Sequence, residues 1–148
     1  YVDVDYIYSN SIIGLDIKKK LLSDKKKIND ELTVFQNKIN SQIKDLETKK
    51  NLLSEDDYSL KRINIDKSVK NFNSNIKQKR EKVLIYENKA RATFLKELNK
   101  ILKQYVENNS IEMIINKRNI VIGKKSLDAT DNILKIFDKN IKSIKINQ

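Results

Sequence analysis

The stretch SIEMIINKRNIVIGKKSLDATDNILKIF, residues 110–137, decides the fold. Ile111, Met113 and Ile115 alternate with Glu112 and Ile114. Residues 116–119, NKRN, place Asn at both ends of a turn. Ile120 and Ile122 then flank Val121, and Gly123 closes the run. The pattern predicts a β-hairpin with a four-residue connection. Thr130 or Asp128 caps a last helix whose apolar face is Ile133, Leu134, Ile136 and Phe137, and residues 141–146 read as its fraying continuation.

A lone hairpin is marginal in water, so it needs partners. One is available at the other terminus. Val2 and Val4 alternate with Asp3 and Asp5, which predicts a short third strand with one buried face. Asp5 then caps a brief helical turn through Tyr6 to Asn10, and Gly14 punctuates. Even three strands leave open edges and more apolar side chains than one thin layer covers. Completion by further copies of the same chain, a homo-oligomer, is the simplest outcome.

Between these ends the period is helical. Ile28, Leu32, Phe35, Ile39, Ile43, Leu46 and Leu53 form a narrow stripe of coiled-coil spacing. LLSEDDY, residues 52–58, interrupts it: Ser54 is a good N-cap, and Glu55, Asp56 and Asp57 put negative charge on the next helix's first turn. So short a link makes the two helices fold back antiparallel. The second stripe is Ile65, Val69, Phe72, Ile76, Val83, Ala90, Phe94, Leu98, Ile101 and Tyr105, and Asn108-Asn109 can close that helix. Both stripes are lean in places: the step from Leu46 to Leu53 passes Lys49 and Lys50, and that from Ile76 to Val83 passes Lys79 and Arg80. Residues 15–53 make ~58 Å of helix at about 1.5 Å per residue. The fold class is therefore mainly α with a small β part: a long antiparallel helical hairpin, residues 15–93 with its tip near 53–57, on a β-rich association body built from residues 1–14 and 94–148.

Composition agrees. The 148 residues include no Pro, Cys, His or Trp and only two Gly, Gly14 and Gly123, so long uninterrupted helices are permitted and flexible linkers are missing. The net charge of +11 is spread: −2 over residues 1–14, +4 over 15–53, +5 over 54–108 and +4 over 109–148. A spread basic field suits nucleic acid, anionic lipid or acidic polypeptide, or it is a solvating face only. No apolar run approaches the ~20 residues needed to span a bilayer. No signal peptide is visible because Tyr1 already begins a strand-like pattern, so the protein is cytosolic or the sequence starts after signal cleavage.

Catalytic chemistry is not assembled. Without His and Cys the common general bases, thiol nucleophiles and zinc ligands are missing, and no cofactor is expected. GKKS at Gly123–Ser126 has Arg118 where a phosphate-binding loop needs its first glycine, and a second Lys before the Ser. SEDDY at Ser54–Tyr58 is too short and lacks the glycine of a calcium hand.

Taken together, VDVDYIYSNSIIG (2–14), LSEDDY (53–58) and the return segment from Tyr86 to Phe137 with its DATD cap resemble the Skp/OmpH family of periplasmic chaperones. Asn109 stands where the family often has Gly, and Ala129 where it often has Ile. The resemblance implies a homotrimer whose strands form a body from which hairpins hang around a cavity. It implies ATP-independent holding of unfolded outer-membrane β-barrel proteins in the periplasm, with the signal peptide removed. On that reading Val2, Val4, Met113, Ile115, Ile120 and Ile122 lie in the subunit interface. Val34, Tyr58, Leu60, Ile63, Leu84, Ile85 and Tyr86, off the seam, touch the client or else simply widen the seam. The family is also linked to lipopolysaccharide contact, for which Lys89 and Arg91 are the nearest candidates.

The main rival is a basic coiled coil that binds nucleic acid. No basic cluster sits on a recognised reading helix and no stacking aromatics lie on the expected sheet, so nucleic acid is not the expected partner. A prefoldin-like chaperone carries its strands between the helices, whereas here they flank them. A purely structural spacer would need no cavity.

Overall fold

The structure, a computed structural model, describes residues 1–146; the last two residues of the expected body, Asn147 and Gln148, lie outside the described residues. Four α-helices follow one another: α1 (Val4–Asn10), α2 (Ile12–Thr48), α3 (Glu55–Asn108) and α4 (Thr130–Asn140). Single 3₁₀ turns stand at Lys50–Leu52, Lys117–Asn119 and Lys125–Leu127. The chain divides into two compact units, one of Tyr1–Leu21 with the chain from Ile85 onward, the other of Leu22–Leu84.

The second unit is the hairpin. Ser54 starts α3 as its sequence predicts: its Oγ accepts from Asp57 N at 3.1 Å and donates to Asp57 Oδ2 at 2.7 Å. Facing pairs advance along α2 as they recede along α3. Lys50 lies over the Tyr58 ring, Phe35 stacks on Phe72 with ring centroids 3.8 Å apart, and Glu31 pairs with Lys79. That last pair occupies the lean stretch of the second stripe. Ile28, Ile39, Leu46 and Ile76 are buried, while Ile43, expected in the seam, is exposed, so the seam is narrower than the stripe suggested.

The terminal unit is built on Phe94. Its ring meets Tyr8 edge-on at 4.9 Å and Phe137 at 4.7 Å, and Ile7, Leu98 and Ile133 are buried in the same unit. These placements follow from the apolar faces of α1, α3 and α4.

The expected β-body is not seen. Among the described residues there is one isolated parallel bridge, Val2 with Asn116, and no strand. Three causes are visible. First, Asp3, not Asp5, caps the first helix, with its Oδ1 accepting from Tyr6 N at 2.9 Å. Val4 and Asp5 are thereby drawn into α1, which leaves only Val2 extended. Second, the connection is a 3₁₀ turn at Lys117–Asn119, with Asn116 accepting from Arg118 N at 3.2 Å, and Ile120 N donates back to Lys117 O at 3.1 Å instead of across to a partner strand. Third, the flanking runs find no cover: Val121 is 97% and Ile122 92% exposed, and a two-stranded ribbon without a packed face does not hold itself.

Smaller corrections concern the caps. Gly14 does not punctuate but lies in the first turn of α2, pressed against α1; a Cβ there would overlap the Tyr8 carbonyl. Ser11, fully buried, does the punctuating. Its N–H donates to Ile7 O at 2.9 Å, ending α1, and its Oγ accepts from Gly14 N at 3.1 Å, starting α2. At the end of α3 the left-handed residue is Ser110, at φ 52°, rather than Asn108 or Asn109, and Ile111 N reaches back to Val106 O at 3.1 Å. Ahead of α4, Asp128 is the capping carboxylate: its Oδ1 accepts from Thr130 N at 3.0 Å.

Candidate functional site

Two apolar surfaces and one ionic cluster stand out. The first surface belongs to the hairpin unit. Val34 is 69% and Leu60 59% exposed, and Ile63 and Leu84 are about half exposed. Each sits off the seam because the helical period carries it there. Tyr58 is half-buried under the Lys50 ammonium, 5.8 Å from its ring centre. Leu84 lines a groove with Leu32, Ile76 and Arg80. In the terminal unit Ile85 is exposed, and Tyr86 is half-buried with the Lys20 ammonium 4.9 Å from its ring centre. Such side chains, isolated among lysines and asparagines, form no deep pocket. They can offer weak, sequence-tolerant apolar contacts and long-range attraction for acidic chains.

The second surface lies in the terminal unit. Met113, Ile115, Val121, Ile122 and Leu127 are exposed, Ile120 is half-buried, and several of them line a groove together with Tyr1, Tyr105 and Ile111. Val2 differs. It is buried within its own chain, its N–H donating to Ile115 O at 3.1 Å and its carbonyl accepting from Lys117 N at 2.8 Å. Val4 is half-buried and faces a second groove with Leu102, Val106 and Ile114. Exposed apolar clusters of this kind commonly mark interaction surfaces on folded proteins.

The ionic cluster pins the N-terminal segment. Asp5 accepts from Arg91 at 3.0 Å and pairs also with Arg118; Asp3 pairs with Lys117 at 3.3 Å. The Arg91 guanidinium lies 5.1 Å from the centre of the Tyr8 ring, whose hydroxyl is pushed above its ordinary pKa mainly by burial, against the opposing pull of Arg91. Lys89 and Arg91 are both exposed, but Arg91 is engaged by Asp5 within the chain. Further stitches join the N-terminal segment to the far end of the sequence: Tyr1 to Leu127 and Ala129, Asp3 N to Thr130 Oγ1 at 2.9 Å, and Ile12 N to Asp138 Oδ1 at 3.0 Å. Sequence reasoning missed this cluster, because charges 86 residues apart carry no local signal.

Burial alone would raise the Asp128 carboxyl, but hydrogen bonds from the Thr130 side chain and backbone, with the nearby Lys117 and N-terminal ammonium, hold it below its ordinary range. Among the described residues, no helix is long and apolar enough to cross a membrane.

The same arrangement occurs in a solved structure. The crystal structure of a candidate outer membrane chaperone (OmpH-like) from Caulobacter crescentus CB15 superposes with a TM-score of 0.90, covering 99% of this chain and 87% of that one at 18% identity. At that identity the likeness is one of fold. No curated protein is significantly similar in sequence. A family model, described as outer membrane protein (OmpH-like), matches residues 1–137, nearly the whole chain, and the chain belongs to that family.

Proposed function

We propose that this protein is a periplasmic, ATP-independent holding chaperone that keeps unfolded outer-membrane β-barrel proteins from aggregating. Membership of the OmpH-like family and the fold shared with a candidate outer membrane chaperone support the chaperone role. The observation that carries the mechanism is the set of exposed apolar side chains on the hairpin, Val34, Leu60, Ile63 and Leu84, set in a lysine-rich surface. Each contact is weak. Several hairpins around one client make rebinding fast, so many weak contacts hold it and still release it without nucleotide.

On this reading the exposed cluster of Met113, Ile115, Val121 and Ile122 is the subunit interface of a homotrimer, and the missing strand pairs form between copies. The protein has no catalytic step and needs no cofactor. Lys89 is the open candidate for contact with lipopolysaccharide or another anionic lipid, since Arg91 is held by Asp5.

The test is direct. An outer-membrane β-barrel protein is diluted from urea, without nucleotide, into buffer with and without this protein, and light scattering and complex stoichiometry are recorded. Suppression near one trimer per client is expected. Undiminished aggregation at several-fold excess would leave a structural spacer.

A further inference from the structure

The hairpin unit carries a groove that the holding reading does not use. It lies at the turn end, has a volume of about 350 Å³, and is floored by Leu46, Leu53 and Ile65. Lys49, Lys61 and Asp45 stand around it. Its origin is in the seam. Between Leu46 near the end of α2 and Leu53 beyond it, the apolar stripe passes over Lys49, and one turn before Ile65 the stripe of α3 falls on Lys61. Where an apolar pair would fill the space between the helices, two ammonium groups turn to water and leave the floor uncovered.

The charges around the groove are unmatched. Among the described residues, Lys49, Lys61 and Asp45 form no ion pair, and the neighbouring Lys50 is already placed over the Tyr58 ring. Two cations against one anion, over an apolar floor, complement a ligand that brings a negative charge and an apolar group together.

We infer that this groove binds the C-terminal residue of an unfolded polypeptide, its carboxylate between Lys49 and Lys61 and its apolar or aromatic side chain on Leu46, Leu53 and Ile65. The inference rests on the holding reading for the source of its ligand. A terminal residue fits better than an internal Asp or Glu for a geometric reason. It carries the carboxylate and an apolar side chain on one Cα, whereas in an extended chain neighbouring side chains point to opposite faces. The volume, at the low end of the roughly 300–1,000 Å³ usual for ligand sites, suits one such residue. Capture of a C-terminal carboxylate is a known recognition mode, met elsewhere by backbone N–H groups and here by two ammonium groups.

The experiment titrates the ¹⁵N-labelled full chain with three peptides: acetyl-GSGSLF as the free acid, the same peptide as its C-terminal amide, and acetyl-GSLFEG-amide with an internal glutamate. The free acid is expected to shift the backbone amides of Lys49, Lys61 and Ile65 and to bind about tenfold more tightly than either other peptide, as one charge-assisted contact provides. K49Q/K61Q should bring the free acid down to the level of the amide, and D45N should tighten it. Equal binding of acid and amide, equal binding of the internal glutamate peptide, shifts confined to other residues, or no binding would each overturn the inference. Failure here with client aggregation still suppressed would sink the groove alone. Peptide binding without suppression would sink the holding reading and leave the groove standing.

Discussion

Arg91 of α3 donates to Asp5 of α1 at 3.0 Å, and the same carboxylate holds Arg118 from the loop before α4. One acidic residue thereby gathers three parts of the terminal unit. The side chains are about a third to a half exposed, so the pair is worth little by itself, about 0.5–1 kcal/mol. A double-mutant cycle of D5N and R91A in urea melts should give a coupling in that range, shrinking in 1 M salt as surface pairs do. No coupling, with R91A alone still destabilising, would mean that Arg91 acts through its place over the Tyr8 ring instead.

Gly14 should tolerate no side chain. The neighbour is the Tyr8 backbone, which cannot swing away as a flexible side chain would. G14A is expected to cost at least ~3 kcal/mol, the upper end for overpacking, seen as a fall in thermal midpoint by circular dichroism. A change below about 1 kcal/mol would show that α1 and α2 separate freely.

The exposed hairpin residues should separate stability from activity. V34S, L60S and I63S remove apolar groups that water already reaches, so each should move the unfolding free energy by no more than about 0.5 kcal/mol. Combined, they should raise client aggregation in the urea-dilution assay. A large loss of stability would mean that these side chains serve the seam.

Ile122, almost wholly exposed in one chain, is the sharpest probe of self-association. I122D should leave the helical circular dichroism unchanged and convert the protein to monomers in sedimentation velocity. Val121, equally exposed, should behave alike if both face the neighbour. Trimers surviving both changes would move the interface elsewhere.

Asp128 gives a pH dependence of defined sign. Its carboxyl is lowered in the folded chain, so its ionised form stabilises the fold. That contribution is complete above the unfolded value, about 3.9, and is lost as pH falls through it toward the lower folded value. D128N should destabilise the protein at neutral pH and lose less stability between neutrality and pH 3 than the parent does. Parallel pH profiles for the two proteins would remove Asp128 from the account.

The long return helix was readable because every local signal agreed. Ser54 and Asp57 mark its start, and no Gly or Pro interrupts it before Asn108. The N-terminal strand gave way to a helix because V-D-V-D satisfies two local rules at once: it alternates like a strand, and it offers Asp3 as a cap. The cap prevailed because Tyr6 N–H needed an acceptor and, among the described residues, no neighbouring strand competes. At the candidate surfaces, exposure of Val34, Leu60 and Ile63 followed from the helical period. Burial of Val2 within its own chain and the hold of Asp5 on Arg91 depend on contacts that only the folded termini create.

Those terminal stitches also set an order of assembly. Tyr1 meets Leu127, Asp3 meets Thr130 and Ile12 meets Asp138, separations of 126 or 127 residues. Nearly the whole polypeptide must be available before the first dozen residues find their places, whereas the hairpin unit of Leu22–Leu84 closes within its own span. The hairpin unit is therefore free to mature first, and the terminal unit is tied last.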